Sequence, residues 1–354
     1  MKVNTIHSLI KELEKESAKI SALYLCSTIQ DEQIEGERFN FASDRDEIAL
    51  VGRAAENLPV SQPDLRKIMT DLLSEQNFYG QLCELAAYDW LRRSDAAFRV
   101  QIAQSGADVL NPNGTDLDGM FVGRDVYFDI KGFGFEAYVR EKFRAKLSGM
   151  VNKGRILIDS TCDNSVKDIE GAFRQLKDLT AELQKAGVAK IPKLSWTLRT
   201  STSPLTVETN TADPYWIAEE NWYYPFKTSR QFHRNSAFVL IFVFSPRLNG
   251  LMSVNFTGST DVVLRSLARR AFLQTKGDTT PVTKFDSGAD PAVTLDRASQ
   301  LLSGLLFLNF TNERAWLFLN PRAQHPLKKD HVPELFDFML PQGMSVDDFA
   351  HDNY

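Results

Sequence analysis

Cysteine and histidine are scarce in this chain of 354 residues. The three cysteines, Cys26, Cys83 and Cys162, lie far apart and form no Cys-x-x-Cys pair. None of the five histidines belongs to a His-Glu-x-x-His sequence. Disulfide frameworks, structural zinc sites and histidine-based metalloenzymes are therefore not expected.

Long apolar runs and an excess of basic residues are also missing. The longest apolar run covers 237–244, far short of the roughly 20 residues that span a bilayer, and the first residues do not resemble a secretory signal. A net charge of −5 excludes a basic coat over the whole molecule. No Gly-x-x-x-x-Gly-Lys-Ser/Thr loop is present, so the chain has no ATP-driven motor of its own. We expect a cytoplasmic protein without a membrane segment.

The composition is that of an ordinary globular protein, with 43% hydrophobic and 25% charged residues. We expect a helical N-terminal region over 1–75, a core over 76–245 with an irregular, aromatic-rich insertion at 190–235, and an α/β extension over 246–354. Residues 1–90 contain nine Lys and Arg against sixteen Asp and Glu. This acidic region is a poor surface for DNA.

Hydrophobic spacing predicts the order of the elements. Two helices are expected in the N-terminal region, near 6–20 and 65–73, with polar loops between them. The core is expected to contain, in chain order, a helix over 77–93, a strand over 98–103, a hairpin over 117–131, a strand over 155–159, a helix over 166–185 and a buried strand over 238–244. The extension should alternate helices over 262–273 and 295–303 with strands over 305–310 and 315–319.

The hairpin carries the informative residues. Two alternating segments flank Gly123-Arg124 in the sequence GTDLDGMFVGRDVYFDIKGFG, residues 114–134, and this pattern predicts a two-residue turn. Counting outward from the turn puts Asp118 opposite Asp129 and Asp116 opposite Lys131. These four side chains then share one face, and the other face carries core residues, namely Leu117, Val126, Phe128 and Ile130.

Three carboxylates on one face repel one another and raise each other's pKa unless a cation lies between them. A divalent metal meets this need, since Mg²⁺ binds oxygen ligands and often takes one or two carboxylates with water and a substrate phosphate. Lys131 beside the metal would orient the attacking water and neutralise the charge that grows on phosphorus. Glu84, on the preceding helix, is placed so that the helix can pack over the hairpin.

A helix with Glu84, a hairpin Asp and then Asp129-Ile130-Lys131 resembles the PD-(D/E)XK phosphodiesterase superfamily, the restriction-endonuclease-like nucleases. The resemblance covers about 75–245 and implies an α/β fold with a restriction-endonuclease-like mixed central sheet flanked by helices. It departs from the family pattern because Thr115, not proline, precedes Asp116. Asp118 is slightly favoured over Asp116 as the first acid, whereas a longer turn would favour Asp116.

The resemblance implies metal-dependent hydrolysis of nucleic-acid phosphodiester bonds, expected in DNA and in restriction or anti-phage defence. Asp129 and the hairpin Asp, either Asp116 or Asp118, would hold Mg²⁺ or Mn²⁺. Glu84 would support the metal or its water, and Lys131 would act at that water. A homodimer is expected if both DNA strands are cut, and a separate motor or sensor subunit is compatible with the missing ATP loop.

A basic segment follows the hairpin and suits phosphate contacts. Its predicted nucleic-acid-binding residues are Arg140, Lys142, Arg144, Lys146, Lys153 and Arg155. A second segment, from Tyr215 to Phe226 with Lys227, Arg230 and Arg234 beside it, mixes aromatic and basic residues. Such aromatics either stack on bases or pack in a core.

Two other interpretations remain. Gly132-Phe133-Gly134-Phe135-Glu136-Ala137 with Asp159 matches the dinucleotide fingerprint and suggests an NAD(P)-dependent oxidoreductase, although Asp129 has no role in it. The other is a catalytically inactive protein that binds nucleic acid or a partner, against which the intact set of acids and lysine argues. If the nuclease hypothesis holds and the site faces solvent, Asp129→Ala and Lys131→Ala should abolish cleavage with little change in thermal stability.

Overall fold

In the computed structural model, the described residues are 3–34, 41–42, 44–74, 77–133, 136–151, 154–160, 166–202, 214–245, 259–339 and 345–348. The chain forms two units. The first contains Met1–Phe133, Tyr223–Phe244 and Ala268–Tyr354, and the second contains Gly134–Trp222 and Ser245–Leu267. The division of the sequence at residues 75 and 245 stays a prediction.

Helices form the N-terminal part of the first unit. They are α1 (Ile6–Glu16), α2 (Ala18–Ser21), α3 (Arg45–Asn57) and α4 (Gln62–Leu73). The helices near 6–20 and 65–73 are confirmed, but α3 lies where a polar loop was expected. Asp44 caps α3 by accepting a hydrogen bond from the backbone of Asp46. Gly52 allows the close packing of α3 on α1, because a Cβ there would lie 2.3 Å from Glu16 Cβ.

The predicted helix and hairpin are confirmed. Helix α5 (Phe78–Arg93) is followed by β1 (Phe98–Gln104), β2 (Thr115–Phe121) and β3 (Val126–Gly132), which pair antiparallel in that order. The register joins Gly119 to Phe128 and Met120 to Tyr127, as the two-residue turn predicts. Continued by one residue, this register places Asp118 opposite Asp129.

The second unit has its own small sheet. Its elements are α6 (Glu136–Val151), β4 (Arg155–Ser160), α7 (Val166–Ala172), α8 (Leu176–Ala186), β5 (Val188–Ile191), β6 (Trp196–Ser201), α9 (Pro214–Asn221) and part of α10 (Ser259–Arg269). The strands lie in the order β4-β6-β5 and pair antiparallel. Strand 155–159 is thus confirmed as a strand, but it lies outside the central sheet.

Two further predictions in this region are wrong in detail. The helix expected over 166–185 is divided by a 3₁₀ turn at Phe173–Gln175. The insertion at 190–235 is not irregular throughout, since β6 and α9 lie within it. Trp196 and Leu198 of β6 are buried with Ile156 and Ile158 of β4. The second unit therefore has a hydrophobic core of its own.

The central sheet is mixed and has the strand order β1-β2-β3-β7-β8-β9-β10. The later strands are β7 (Ala237–Phe244), β8 (Gly304–Asn309), β9 (Arg314–Leu319) and β10 (Ser345–Asp348), and the later helices of the first unit include α11 (Leu295–Leu301) and α12 (Pro333–Met339). Strand β7 runs parallel to β3 and β8, and all its residues are buried. The mixed α/β class and the buried strand over 238–244 are confirmed.

The two faces of the central sheet differ in chemistry. Asp129 and Lys131 of β3 are in register with Leu240 and Phe242 of β7, so these four residues point to the same side. We call the side that carries Asp118, Asp129 and Lys131 the site face. Helix α5 packs against the hairpin and β1, and the ring of its Tyr88 stacks on Phe98 of β1.

Candidate functional site

Helix α5 brings three polar side chains to the hairpin, one turn apart. Gln81 Nε2 donates a hydrogen bond of 3.0 Å to Glu84 Oε2. The Tyr88 hydroxyl lies 3.1 Å from Glu84 Oε1 and 3.0 Å from the backbone oxygen of Asp118. Its single hydrogen can serve one of these acceptors at a time. Tyr88 therefore links Glu84 of helix α5 to Asp118 of strand β2.

Strand β3 supplies a lysine that lies between two carboxylates. Lys131 Nζ is 2.6 Å from Asp129 Oδ2 and 3.9 Å from Asp118 Oδ2. Asp118 Oδ2 also accepts a hydrogen bond of 2.6 Å from the backbone N–H of Ile130. This bond fixes Asp118 against β3 at the point where the regular pairing of β2 and β3 ends.

Asp129 is completely buried. Among the described residues, no group donates a hydrogen bond with acceptable angles to either of its carboxylate oxygens. Its contact with Lys131 is therefore an ion pair, short in distance but poorly aligned as a hydrogen bond. A buried carboxylate in this state is costly, because neither water nor donors replace its hydration.

Burial and mutual repulsion shift the pKa values in the cluster. Burial, and then the charge of Asp118, raise the pKa of Asp129 well above its usual value. The same two causes raise the pKa of Glu84 to about 7. Burial lowers the pKa of Lys131, but the charges of Asp129 and Asp118 more than offset this and raise it. Near neutral pH the Lys131 ammonium is thus charged.

The structure brings together Glu84, Asp118, Asp129 and Lys131, but it leaves Asp116 aside. Asp116 is exposed and in register with Ala103 of β1. Within the described part of the chain, Asp116 forms no ion pair with Lys131, whereas Asp118 does. Of the two hairpin acids, Asp118 is thus the one that lies beside Lys131. Sequence reasoning missed Gln81 and Tyr88, although their positions three residues before and four after Glu84 place them on its side of the helix.

The premise that the site faces solvent is wrong for Asp129. Strand β3 is an inner strand, paired with β2 on one side and β7 on the other. Side chains on an inner strand of a covered sheet are removed from water. Substitutions at Asp129 and Lys131 therefore act on folding stability as well as on chemistry.

No group of three or more His, Cys, Asp and Glu side chains is arranged to hold a metal ion in the described ranges. Two carboxylates, Asp118 and Asp129, nevertheless meet the same cation, the Lys131 ammonium. Mg²⁺ often takes only one or two protein carboxylates and fills its other positions with water. The two Asp129 oxygens that lack hydrogen-bond donors fit such an ion.

The predicted basic segment does not form a uniform surface in the second unit. Arg140 on α6 is 9% exposed and Arg144 is half-buried, whereas Lys142, Lys146 and Arg155 are exposed. Lys146 Nζ lies 5.7 Å from the centre of the Phe173 ring. Lys153 lies outside the described residues. The guanidinium of Arg140 is buried, so the predicted residues do not share one exposed surface, and their contact with nucleic acid stays a prediction.

The dinucleotide fingerprint lacks the sheet that it requires. Such a site is formed by two adjacent parallel strands joined through a helix. Here β3 and β4 belong to different sheets, and β4 pairs antiparallel with β6. Gly134 and Phe135 lie outside the described residues. The topology therefore does not support the oxidoreductase alternative.

The chain matches no protein-family profile, no curated protein and no solved structure. No helix in the described ranges is long and apolar enough to cross a membrane.

Proposed function

We propose that this protein is a metal-dependent nuclease of the PD-(D/E)XK type that hydrolyses phosphodiester bonds, with DNA as the expected substrate. One observation carries the proposal: α5 and the hairpin bring Glu84, Asp118, Asp129 and Lys131 to one place. In that place the buried carboxylate of Asp129 has no well-aligned hydrogen-bond donor among the described residues. A restriction-endonuclease-like core and a role in restriction or anti-phage defence belong to the same proposal.

Each residue has a chemical task in this proposal. Asp118 and Asp129 would hold Mg²⁺ or Mn²⁺, which when bound supplies positive charge at the phosphoryl oxygens and lowers the pKa of water. Lys131 moves from between the two acids and neutralises charge that grows on the phosphoryl group. Glu84, which interacts with Asp118 and Lys131, would support the metal or accept a proton from the attacking water. The water oxygen then bonds to phosphorus as the bond to the leaving sugar oxygen breaks, and that oxygen takes a proton from solvent water to become a hydroxyl.

The proposal is tested with a pair of matched variants. Asp118→Asn and Asp116→Asn change the same residue type on the same strand and the same face. Supercoiled and linear DNA are incubated with each variant and the wild type in Mg²⁺, Mn²⁺ or EDTA. We expect metal-dependent cutting by the wild type and Asp116→Asn, and none by Asp118→Asn. Equal loss in both variants, or cutting that survives EDTA, would contradict the assignment.

A further inference from the structure

The part of the aromatic and basic segment that belongs to the first unit begins at Tyr223, and its Tyr224 lies on the site face. Its 3₁₀ helix, Tyr224–Gln231, precedes β7 in the first unit. The ring centre of Tyr224 is 5.5 Å from that of Phe242 and 5.5 Å from that of Phe133. Phe242 is the register partner of Lys131, and Phe133 directly follows β3. Tyr224 therefore lies beside the end of β3 that carries Lys131.

Lys227 on this 3₁₀ helix is an exposed cation held on two aromatic rings. Its Nζ is 5.4 Å from the ring centres of both Tyr223 and Tyr224. Tyr223 in turn stacks on Phe285 at 5.3 Å. Packing on both rings restricts the lysine stem, so the ammonium loses less freedom when it meets a further partner.

Within the described ranges, the charge of Lys227 has no acidic counterpart, unlike that of its neighbours. Arg230 and Arg234 of the same segment pair with Asp286 at 3.8 Å and with Asp290 at 2.7 Å. Among the described residues, no carboxylate lies within ion-pair distance of Lys227. An exposed ammonium that rests on two aromatic rings, and that has no carboxylate partner among the residues the structure describes, suits an anionic ligand.

We propose that Lys227, held on Tyr223 and Tyr224, contacts a backbone phosphate of the nucleic acid next to the bond that is cut. This inference rests on the proposed nuclease function and names a substrate-binding residue for it. Contacts of this kind position the strand without reading its sequence. They also release counterions, so each one adds to the salt dependence of binding.

The experiment measures DNA binding without cleavage. A short fluorescein-labelled duplex is titrated with protein in EDTA and in Ca²⁺ at several NaCl concentrations, and anisotropy gives the binding constant. Lys227→Ala should weaken binding about tenfold at low salt and reduce the slope of log K against log salt by about 0.9. Lys227→Arg keeps the charge and should keep the slope. Lys67→Ala, which removes an exposed lysine of α4, is the control and should match the wild type.

The outcomes separate this inference from the proposed function. An unchanged slope in Lys227→Ala, with a wild type that binds and cuts DNA, would overturn the role of Lys227 and leave the nuclease proposal in place. A wild type that binds no DNA in either condition would overturn both. A reduced slope in Lys67→Ala as well would show general electrostatic attraction and contradict a specific contact.

Discussion

Removing the charge of Lys131 should destabilise the fold in the absence of metal. Lys131→Met keeps the apolar stem and removes the ammonium that lies 2.6 Å from Asp129 Oδ2. The variant leaves a completely buried carboxylate without a counter-charge or a hydrogen-bond donor. Breaking a buried ion pair in this way costs about 3–5 kcal/mol in other proteins.

Protonation of Asp129 limits the free energy of unfolding that Lys131→Met can lose, because a neutral Asp129 needs no counter-charge. Neutralising a carboxylate whose ordinary pKa is 3.8 costs about 4 kcal/mol at pH 7 and about 2 kcal/mol at pH 5. Burial already raises the pKa of Asp129 in the wild type, and the Lys131 side chain is 29% exposed. We therefore expect a loss of about 2–3 kcal/mol at pH 7 that falls below about 2 kcal/mol at pH 5.

Urea unfolding followed by circular dichroism in EDTA measures this loss at both pH values. The double variant Asp129→Asn/Lys131→Met removes both charges and should recover to within about 1 kcal/mol of the wild type. Mg²⁺ should stabilise Lys131→Met more than the wild type, since no ammonium competes for the two acids, and should not stabilise the double variant. If Lys131→Met equals the wild type at both pH values, or the double variant is as unstable as the sum of the single ones, the buried ion pair is refuted.

Three further changes test other parts of the site. Because the pKa of Glu84 is raised from 4.5 to about 7, its protonated form contributes stability that is fully present below pH 4.5 and is lost as the pH rises through about 7. Glu84→Gln should thus gain about 2–3 kcal/mol over the wild type at about pH 8 and little at about pH 4.5, in urea unfolding; equal differences at both would contradict the shift. Tyr88→Phe removes a hydrogen bond that lowers the pKa of Glu84, so a carboxyl NMR titration should find this pKa higher, and an unchanged value would rule out the contact. Gly119→Ala should cost about 1–3 kcal/mol in urea unfolding, because its Cβ would lie 2.1 Å from Phe128 Cζ, whereas Gly80→Ala on α5, with no atom within 4 Å of its Cβ, should be neutral or slightly stabilising.

Local patterns predicted the elements around the site but not their assembly. The apolar run of β7 was sufficient to predict a buried strand, and alternation around Gly123 predicted the register of the hairpin. Helix α3 was missed because its apolar stripe contains Gly52, which is required by contact with Glu16 rather than by helix propensity. The membership of β4 in a separate sheet depends on pairing with β6, far along the chain. Hydrophobic spacing and secondary-structure propensity are local properties and carry no information about such distant strand pairing.

The alternation of side chains along the two strands predicted which residues of the site share one face. Parity places Asp116, Asp118, Asp129 and Lys131 on one face and cannot separate the first two. Asp118 differs from Asp116 because regular pairing between β2 and β3 ends beside it. There its carboxylate accepts a hydrogen bond from the backbone N–H of Ile130. The burial of Asp129 depends on β7, which pairs with the far side of β3.

The burial of this ion pair is itself an argument for function. The neighbouring positions on the site face of β7, Leu240 and Phe242, are buried and apolar, so the sheet accommodates apolar side chains beside Asp129 and Lys131. Well-packed apolar residues in place of a buried ion pair are often neutral or stabilising. Folding alone therefore gives no reason for an acid and a lysine on an inner strand. The proposed cation-binding site would give one, because a carboxylate that is costly to bury without a metal is the group that would hold a metal. Departures from local folding rules are expected at functional sites.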